Sequence, residues 1–194
     1  MSTARRVHYT YEQYLSALEM SDVKLEFCDG EIYAMAGGTP AHAELSAAAT
    51  GILGQALRGR CRVFSSDLKV RIEETDLSTF PGVSLVCGEP QFSPVDRNAV
   101  TNPTLLVEVT SASTEDYDRG EKLSHYKQLK SLRAILFVSH RAPQITLVRR
   151  AAAGWDVREL RLGERVELDE PALSFPVDEL YAGIQLEPDA ARRS

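Results

Sequence analysis

The sequence predicts an α/β fold, and three stretches carry most of this prediction. Residues 104–110 read TLLVEVT, an almost continuously apolar and β-branched run that is typical of a strand covered on both faces. The residues that follow predict a helix on which Asp118, Lys122 and Tyr126 share one face at intervals of four. Asp29-Gly30, between two alternating runs, predicts a β-hairpin near the start of the chain. We therefore expect a covered strand that leads directly into a helix.

The length and composition are ordinary for one globular domain. A chain of 194 residues, 43% apolar and 26% charged, can bury its own core. We expect a single domain over residues 1–186 and a disordered tail over residues 187–194. Residues 1–11 show no signal-peptide pattern and no apolar run is long enough to span a membrane, so we expect a cytoplasmic protein. The net charge of −6 provides no overall attraction to nucleic acid, so DNA binding would need a local basic surface.

The cysteines indicate neither a disulfide framework nor a zinc ribbon. Cys28, Cys61 and Cys87 are odd in number, and no C-x-x-C pair is present. We expect reduced, partly buried thiols.

The first elements of the chain are a helix and the hairpin. Thr10-x-x-Gln13 is a capping box that predicts a short helix through about Leu18. In the hairpin, Glu26 shares a face with Cys28, Glu31 and Tyr33. Glu26 is therefore either a solvent-facing strand residue, which is the commoner case, or a carboxylate directed into a cleft.

A helix and a charged strand follow the hairpin. Thr39-Pro40 predicts a helix start, with His42 in the first turn and an end near Arg58; His42 is either a solvent-exposed or hydrogen-bonded residue or a functional one. Residues 62–73 alternate and predict one strand with a charged face. That face includes Asp67 and Lys69, whose D-x-K spacing competes with Glu108 and Lys122 as a catalytic motif.

The remaining elements are shorter. After a polar turn at residues 74–78, we expect a strand over residues 81–87 and a loop over residues 88–102. Later in the chain we expect strands over residues 133–139, 144–150 and 155–160, and a last helical turn over residues 177–184.

Glu108 requires a partner. A carboxylate in a covered strand costs several kcal/mol unless a cation, a metal or several hydrogen-bond donors compensate it. Lys122 can fold back over the strand that holds Glu108. A purely structural Glu–Lys pair and a functional pair both fit this pattern.

The order of these signals resembles the restriction-endonuclease family often called Uma-two, a branch of the PD-(D/E)xK nuclease superfamily. The resemblance covers nearly the whole chain. It rests on Tyr9-Thr10-Tyr11-Glu12, Leu25-Glu26-Phe27-x-Asp29-Gly30-Glu31, His42, Ser66-Asp67-Leu68-Lys69-Val70, Val107-Glu108-Val109-x-Ser111-x-Ser113-Thr114, Asp118-x-x-x-Lys122, Tyr126 and Leu180-Tyr181.

The resemblance implies a restriction-endonuclease-like mixed β-sheet flanked by helices, and a Mg²⁺-dependent site that hydrolyses phosphodiester bonds, with Mn²⁺ as an alternative ion. It assigns Glu108 as metal ligand and Lys122 as the catalytic lysine, displaced onto the helix. Asp118, Tyr126, His42 and Lys69 are expected to support the site. The expected substrate is double-stranded DNA, and a homodimer is expected because two strands are most simply cut by two sites related by a two-fold axis.

The sequence departs from the family pattern at position 82. Pro81-Gly82-Val83 stands where the family has Pro-Asp-Val, so the first metal-binding aspartate is replaced by Gly82. Loss of a metal ligand would lower the rate by about a hundredfold to ten-thousandfold. Three explanations remain open: Asp67 or Glu26 substitutes for the aspartate, the protein binds DNA or a partner without cutting, or Gly82 is a mutation of an active parent.

Overall fold

The computed structural model describes residues 7–35, 37–110 and 118–186, with residues 118 and 119 described only as backbone. The helices are α1 (Tyr11–Glu19), α2 (Pro40–Ala56), α3 (Leu123–Tyr126) and α4 (Val177–Leu180). A 3-10 turn covers Glu73–Thr75, and a π-helical segment, Asp118–Lys122, leads directly into α3.

The strands are numbered in chain order. They are β1 (Leu25–Cys28), β2 (Glu31–Ala34), β3 (Cys61–Ser65), β4 (Lys69–Ile72), β5 (Leu77–Thr79), β6 (Val83–Cys87), β7 (Phe92–Ser93), β8 (Asp96–Val100), β9 (Leu105–Thr110), β10 (Ala134–Ser139), β11 (Gln144–Ala151), β12 (Gly154–Arg161), β13 (Arg165–Leu168) and β14 (Leu173–Pro176).

Two six-stranded mixed sheets form the body of the protein. The first sheet has the order β2-β1-β5-β4-β8-β7, and the second has the order β12-β11-β10-β9-β6-β3. β4 and β8 are parallel in the first sheet, β9 and β10 are parallel in the second, and the other neighbours are antiparallel. β13 and β14 form a separate hairpin. The predicted α/β class, with a mixed sheet flanked by helices, is confirmed.

The layers are held together by two apolar cores. α1 covers the outer face of the first sheet, where Tyr11 and Tyr14 pack on Phe27 at ring distances of 5.5 and 5.2 Å. The inner face of the first sheet packs with the second sheet around the buried Tyr126. The other face of the second sheet packs against α2, for example Val107 and Val109 against Leu45. β9 is therefore buried on both faces, as its sequence predicts.

The capping box and the hairpin are confirmed. Thr10 caps α1 and exchanges hydrogen bonds with Gln13. Asp29 and Gly30 both have positive φ, 44° and 81°, as a type I′ turn requires. The hairpin register places Glu26 opposite Tyr33. Thr39 caps α2 with proline at its first position.

Three predictions about the middle of the chain are wrong. Residues 62–73 are not one strand, because a turn after Ser65 sends β3 and β4 into different sheets. The charged side chains of β4, Lys69 and Arg71, are buried under α1. The supposed loop over residues 88–102 contains β7 and β8, and β5 begins within the supposed polar turn at Leu77.

The prediction of three reduced thiols is also wrong. Cys61 and Cys87 are directly opposite in the β3–β6 pair and form a disulfide, while Cys28 is free and buried. Sequence spacing did not reveal the pair, because 26 residues separate the two cysteines. Disulfides are rare in reducing compartments, so the cysteines do not support the predicted cytoplasmic location. Within the described residues, no helix combines the length and the apolarity needed to cross a membrane.

Candidate active site

Two carboxylates and one ammonium group meet between the two sheets. Glu26 projects from β1, Glu108 projects from β9, and Lys122 ends the π-helical segment between them. The Lys122 Nζ atom lies 3.2 Å from Glu26 Oε1 and 3.1 Å from Glu108 Oε1. All three residues are buried. The sequence predicts the contact between Lys122 and Glu108, and the structure confirms it.

Strand alternation directs both carboxylates into this space. Phe27 packs under α1, so its neighbour Glu26 must point from the opposite, inner face of the first sheet. Val107 and Val109 pack towards α2, so Glu108 points from the opposite face of the second sheet. The two inner faces oppose each other. Glu26 and Glu108, which are 82 positions apart in sequence, therefore both contact Lys122.

Hydrogen bonds hold each carboxylate in place. The Thr79 hydroxyl donates to Glu26 Oε1, and the Phe80 backbone N–H donates to the same oxygen over 3.3 Å. The Tyr126 hydroxyl donates to Glu108 Oε1. Burial, followed by the nearby charge of Glu108, raises the pKa of Tyr126 well above its ordinary value, so the hydroxyl keeps its proton. Thr79 and Phe80 had no signal in the sequence, because β5, which ends at Thr79, was not predicted.

The cluster brings two carboxylates to one ammonium. A buried carboxylate costs several kcal/mol unless hydrogen bonds, a proton or a cation compensate it. Mg²⁺ prefers oxygen ligands and is commonly held by one or two carboxylates together with water. Glu26 and Glu108 therefore fit a Mg²⁺ ion by donor type and by number.

Position 82 lies beside the backbone of β9 and leaves little room for a side chain. Gly82 directly precedes β6, whose next residue, Val83, pairs with Val107. A Cβ atom at position 82 would lie 3.1 Å from the Val107 carbonyl oxygen and 3.6 Å from Ser46 Oγ. The first distance is a few tenths of an ångström shorter than a comfortable contact. An aspartate here would need a small shift of the neighbouring backbone.

Glu26 corrects the commoner expectation from the sequence. A solvent-facing strand residue was expected, yet Glu26 is 8% exposed and bound by Lys122 and Thr79. The shared face with Cys28 was a usable signal, because Cys28 is buried as well.

The D-x-K motif does not form a site. Asp67 is 83% exposed at the β3–β4 turn, where Lys24 Nζ lies 2.8 Å from it. The hydrogen bond and charge of Lys24 lower the Asp67 pKa. Lys69 points to the opposite, outer face of the first sheet and pairs with Asp96 at 2.5 Å. Neither residue fills the place of the missing aspartate.

The other expected supporting residues differ in position. Tyr126 belongs to the cluster. His42 is partly buried in the first turn of α2, and its backbone carbonyl accepts a hydrogen bond from the Ser46 hydroxyl. Ser46 is the α2 residue that a side chain at position 82 would approach. The side chain of Asp118 lies outside the described residues, as do Ser111 and Ser113 of the family motif.

Known proteins resemble this chain over most of its length. A sequence profile of the Uma2 family, described as "Putative restriction endonuclease", matches residues 10–178. Two uncharacterized proteins of Synechocystis sp. are similar: slr1290 is 38% identical, covering 89% of this chain and 91% of its own, and sll1609 is 29% identical, covering 82% and 91%.

A solved structure shares the fold. It is the crystal structure of a "putative nuclease belonging to DUF820" from Anabaena variabilis, with a TM-score of 0.74 and 12% sequence identity, covering 90% of this chain and 98% of that chain.

Proposed function

Because the chain belongs to the Uma2 family of restriction-endonuclease-like proteins, we propose that it hydrolyses phosphodiester bonds of double-stranded DNA with Mg²⁺, at the cluster of Glu26, Glu108 and Lys122. The observation that carries this proposal is the buried pair of carboxylates around one ammonium. Assembly as a homodimer, which would place two sites on two strands, stays a prediction.

Glu26 takes the role of the absent aspartate. Glu26 and Glu108 are the two acids that would hold the ion, and Gly82 is not needed as a ligand. Glu26 reaches the cluster from the other sheet, and Thr79 and Phe80 orient it. Of the explanations for Gly82, substitution by Glu26 agrees best with the geometry, and substitution by Asp67 agrees least.

The chain's own residues explain the rest of the chemistry. When bound, Mg²⁺ lowers the pKa of a water molecule and stabilises charge on the phosphoryl group. Lys122 supplies positive charge beside the two carboxylates and can orient the nucleophile or stabilise negative charge in the transition state. Tyr126, protonated at neutral pH, keeps Glu108 directed into the site. The burial of these groups strengthens every electrostatic contact among them.

Plasmid cleavage tests the proposal. Supercoiled DNA is incubated with the protein and Mg²⁺ or Mn²⁺, and nicking is followed for wild type, Glu26→Gln, Glu108→Gln and Asp67→Asn. We expect the two buried substitutions each to lower the rate by about a hundredfold to ten-thousandfold, because each removes a charged metal ligand. Asp67→Asn is the matched control, because it also replaces a carboxylate with an amide. It should leave the rate unchanged.

Gly82→Asp separates an active enzyme from an inactivated scaffold. With Glu26 as the second acid, wild type already cuts, and Gly82→Asp changes the rate by less than about tenfold. An inactive wild type together with an active Gly82→Asp variant would show instead that the protein is a DNA-binding or partner-binding scaffold. Cleavage that depends on Asp67 and not on Glu26 would move the site to the D-x-K motif.

A further inference from the structure

A second group of metal-ligating side chains lies beside the carboxylate–lysine cluster. Cys28 Sγ is 3.8 Å from His125 Nε2, and that nitrogen is 4.0 Å from Glu121 Oε1. All three donor atoms lie within 4.8 Å of one another. None of these residues belongs to the proposed nuclease site.

Two elements bring the three side chains together. Cys28 ends β1 on the inner face of the first sheet, the face that also carries Glu26. Glu121 and His125 are four residues apart on the π-helical segment and α3, so they lie on one side of a helical turn. Cys28 is buried, His125 is partly buried and the Glu121 side chain is 62% exposed, so the group opens to solvent on one side.

The distances suit a tetrahedral ion after a small adjustment. With Zn–S near 2.3 Å and Zn–N or Zn–O near 2.0–2.1 Å, tetrahedral ligand atoms lie about 3.3–3.6 Å apart. The observed sulfur–nitrogen distance of 3.8 Å exceeds its tetrahedral value by about 0.2 Å, and the nitrogen–oxygen distance of 4.0 Å by about 0.7 Å. Rotation of the exposed Glu121 side chain can supply the larger adjustment. Three protein ligands of sulfur, nitrogen and oxygen leave a fourth position for water, as in zinc sites that are not purely structural.

The imidazole of His125 directs its Nε2 atom towards the other two donor atoms. His125 Nε2 is within hydrogen-bond distance of the Cys28 thiol, at 3.8 Å, and lies 4.0 Å from Glu121 Oε1. His125 Nδ1 is buried and has no hydrogen-bond partner among the described residues. The nitrogen that could bind an ion is therefore Nε2, which faces a thiol and a carboxylate.

We propose that Cys28, Glu121 and His125 form a binding site for a thiophilic divalent cation, with Zn²⁺ as the first candidate. The donor set distinguishes it from the neighbouring carboxylate pair: sulfur and imidazole select zinc-like ions, whereas carboxylates alone select Mg²⁺. An ion bound here joins the hairpin that carries Glu26 to the helical segment that carries Lys122. The site therefore fixes two elements of the proposed nuclease site relative to each other.

Cobalt substitution tests the proposal on the intact chain. Co²⁺ replaces Zn²⁺ in such sites, and a thiolate ligand produces a charge-transfer band in the near ultraviolet. Because Cys61 and Cys87 are joined, Cys28 is the only cysteine able to give this band; a count of one free thiol in the denatured, unreduced protein checks that condition first. We expect wild type to show the band, and added Zn²⁺ to remove it by displacing Co²⁺.

Variants locate the ion. Cys28→Ser should abolish the band, and Glu121→Gln should weaken Co²⁺ binding by about tenfold or more. Glu179→Gln, an exposed carboxylate on α4, is the matched control and should bind like wild type. Glu108→Gln should keep the band, which separates this site from the nuclease site even if no DNA is cut.

Two results would overturn the zinc site. Absence of the band in folded wild type at millimolar Co²⁺ would show that Cys28 and His125 make only a thiol–imidazole contact. Retention of Co²⁺ by Cys28→Ser together with its loss from Glu108→Gln would place the ion at the carboxylate pair. Circular dichroism of each variant establishes that a lost band reflects a lost ligand and not a lost fold.

Discussion

The protein buries lysine ammonium groups on both faces of its first sheet, and the two surroundings differ in the number of carboxylates. On the outer face Lys69 meets one carboxylate, Asp96, at 2.5 Å. On the inner face Lys122 meets two, Glu26 and Glu108. Since both groups are buried to a similar degree, the comparison isolates the effect of the second carboxylate.

The outer pair is complete by itself. Asp96 accepts hydrogen bonds from the Tyr11 hydroxyl at 3.0 Å and from the Asn98 backbone N–H at 3.0 Å, in addition to the Lys69 contact. Burial alone would raise the pKa of Asp96, but Lys69, Asn98 and Tyr11 together outweigh it and lower the pKa. A hydrogen-bonded pair of this kind joins α1 to β4 and β8. A cluster with a second carboxylate offers a cation two oxygen ligands.

The largest expected effect is the difference between two amide substitutions in metal-free buffer. Asp96→Asn leaves Lys69 buried without a carboxylate and should lower the free energy of unfolding by about 3–5 kcal/mol. Glu26→Gln leaves Lys122 paired with Glu108, so it should cost less than about 1 kcal/mol or stabilise the protein. Urea unfolding with EDTA present measures both. Equal destabilisation would show that the inner cluster is a structural ion pair.

A smaller effect is expected from added Mg²⁺. Binding at the inner cluster should raise the free energy of unfolding of wild type, by about 2.7 kcal/mol when Mg²⁺ is present at a hundred times its dissociation constant. Glu26→Gln should lose this response. Tyr11→Phe, which removes a hydrogen bond of the outer pair, should keep it. A response that survives in Glu26→Gln would place the Mg²⁺ ion elsewhere.

The smallest effect concerns acid pH and the outer pair alone. The Asp96 pKa is lower in the folded than in the unfolded protein, so its stabilisation is present above the unfolded pKa of about 4 and is lost as the pH falls through the folded value. The stability difference between wild type and Asp96→Asn should therefore be constant from pH 7 to about pH 5 and shrink below about pH 4. Urea unfolding at each pH measures it, and a difference that grows on acidification would contradict the assignment.

The inner cluster could be predicted in part because two of its members are close in sequence. Glu108 interrupts an apolar strand, and Lys122 lies on the helix that follows it, so a short connection brings them together. Glu26 was placed on the correct face of its strand by alternation. The alternating pattern of the hairpin does not show which of its two faces α1 covers. It therefore could not show that Glu26 faces the second sheet.

The outer pair could not be predicted. Lys69 belonged to a strand whose charged face is normally exposed, and Asp96 fell in a region without a clear strand pattern. Their contact depends on the parallel pairing of β4 with β8, in which Lys69 lies opposite Ala99. The Cys61–Cys87 disulfide depends in the same way on the antiparallel pairing of β3 with β6.

The sequence by itself determined the local elements of this protein: the capped helices, the Asp29-Gly30 hairpin, the covered strand with Glu108 and the order of motifs that places the chain in its family. These follow from backbone preferences and periodicity over a few residues. Only the tertiary structure decided that Glu26 completes the acidic pair, that Lys69 is bound to Asp96 and that Cys28 meets Glu121 and His125. Alternation reports which side chains share a face, but the element that covers this face is set by packing between distant parts of the chain.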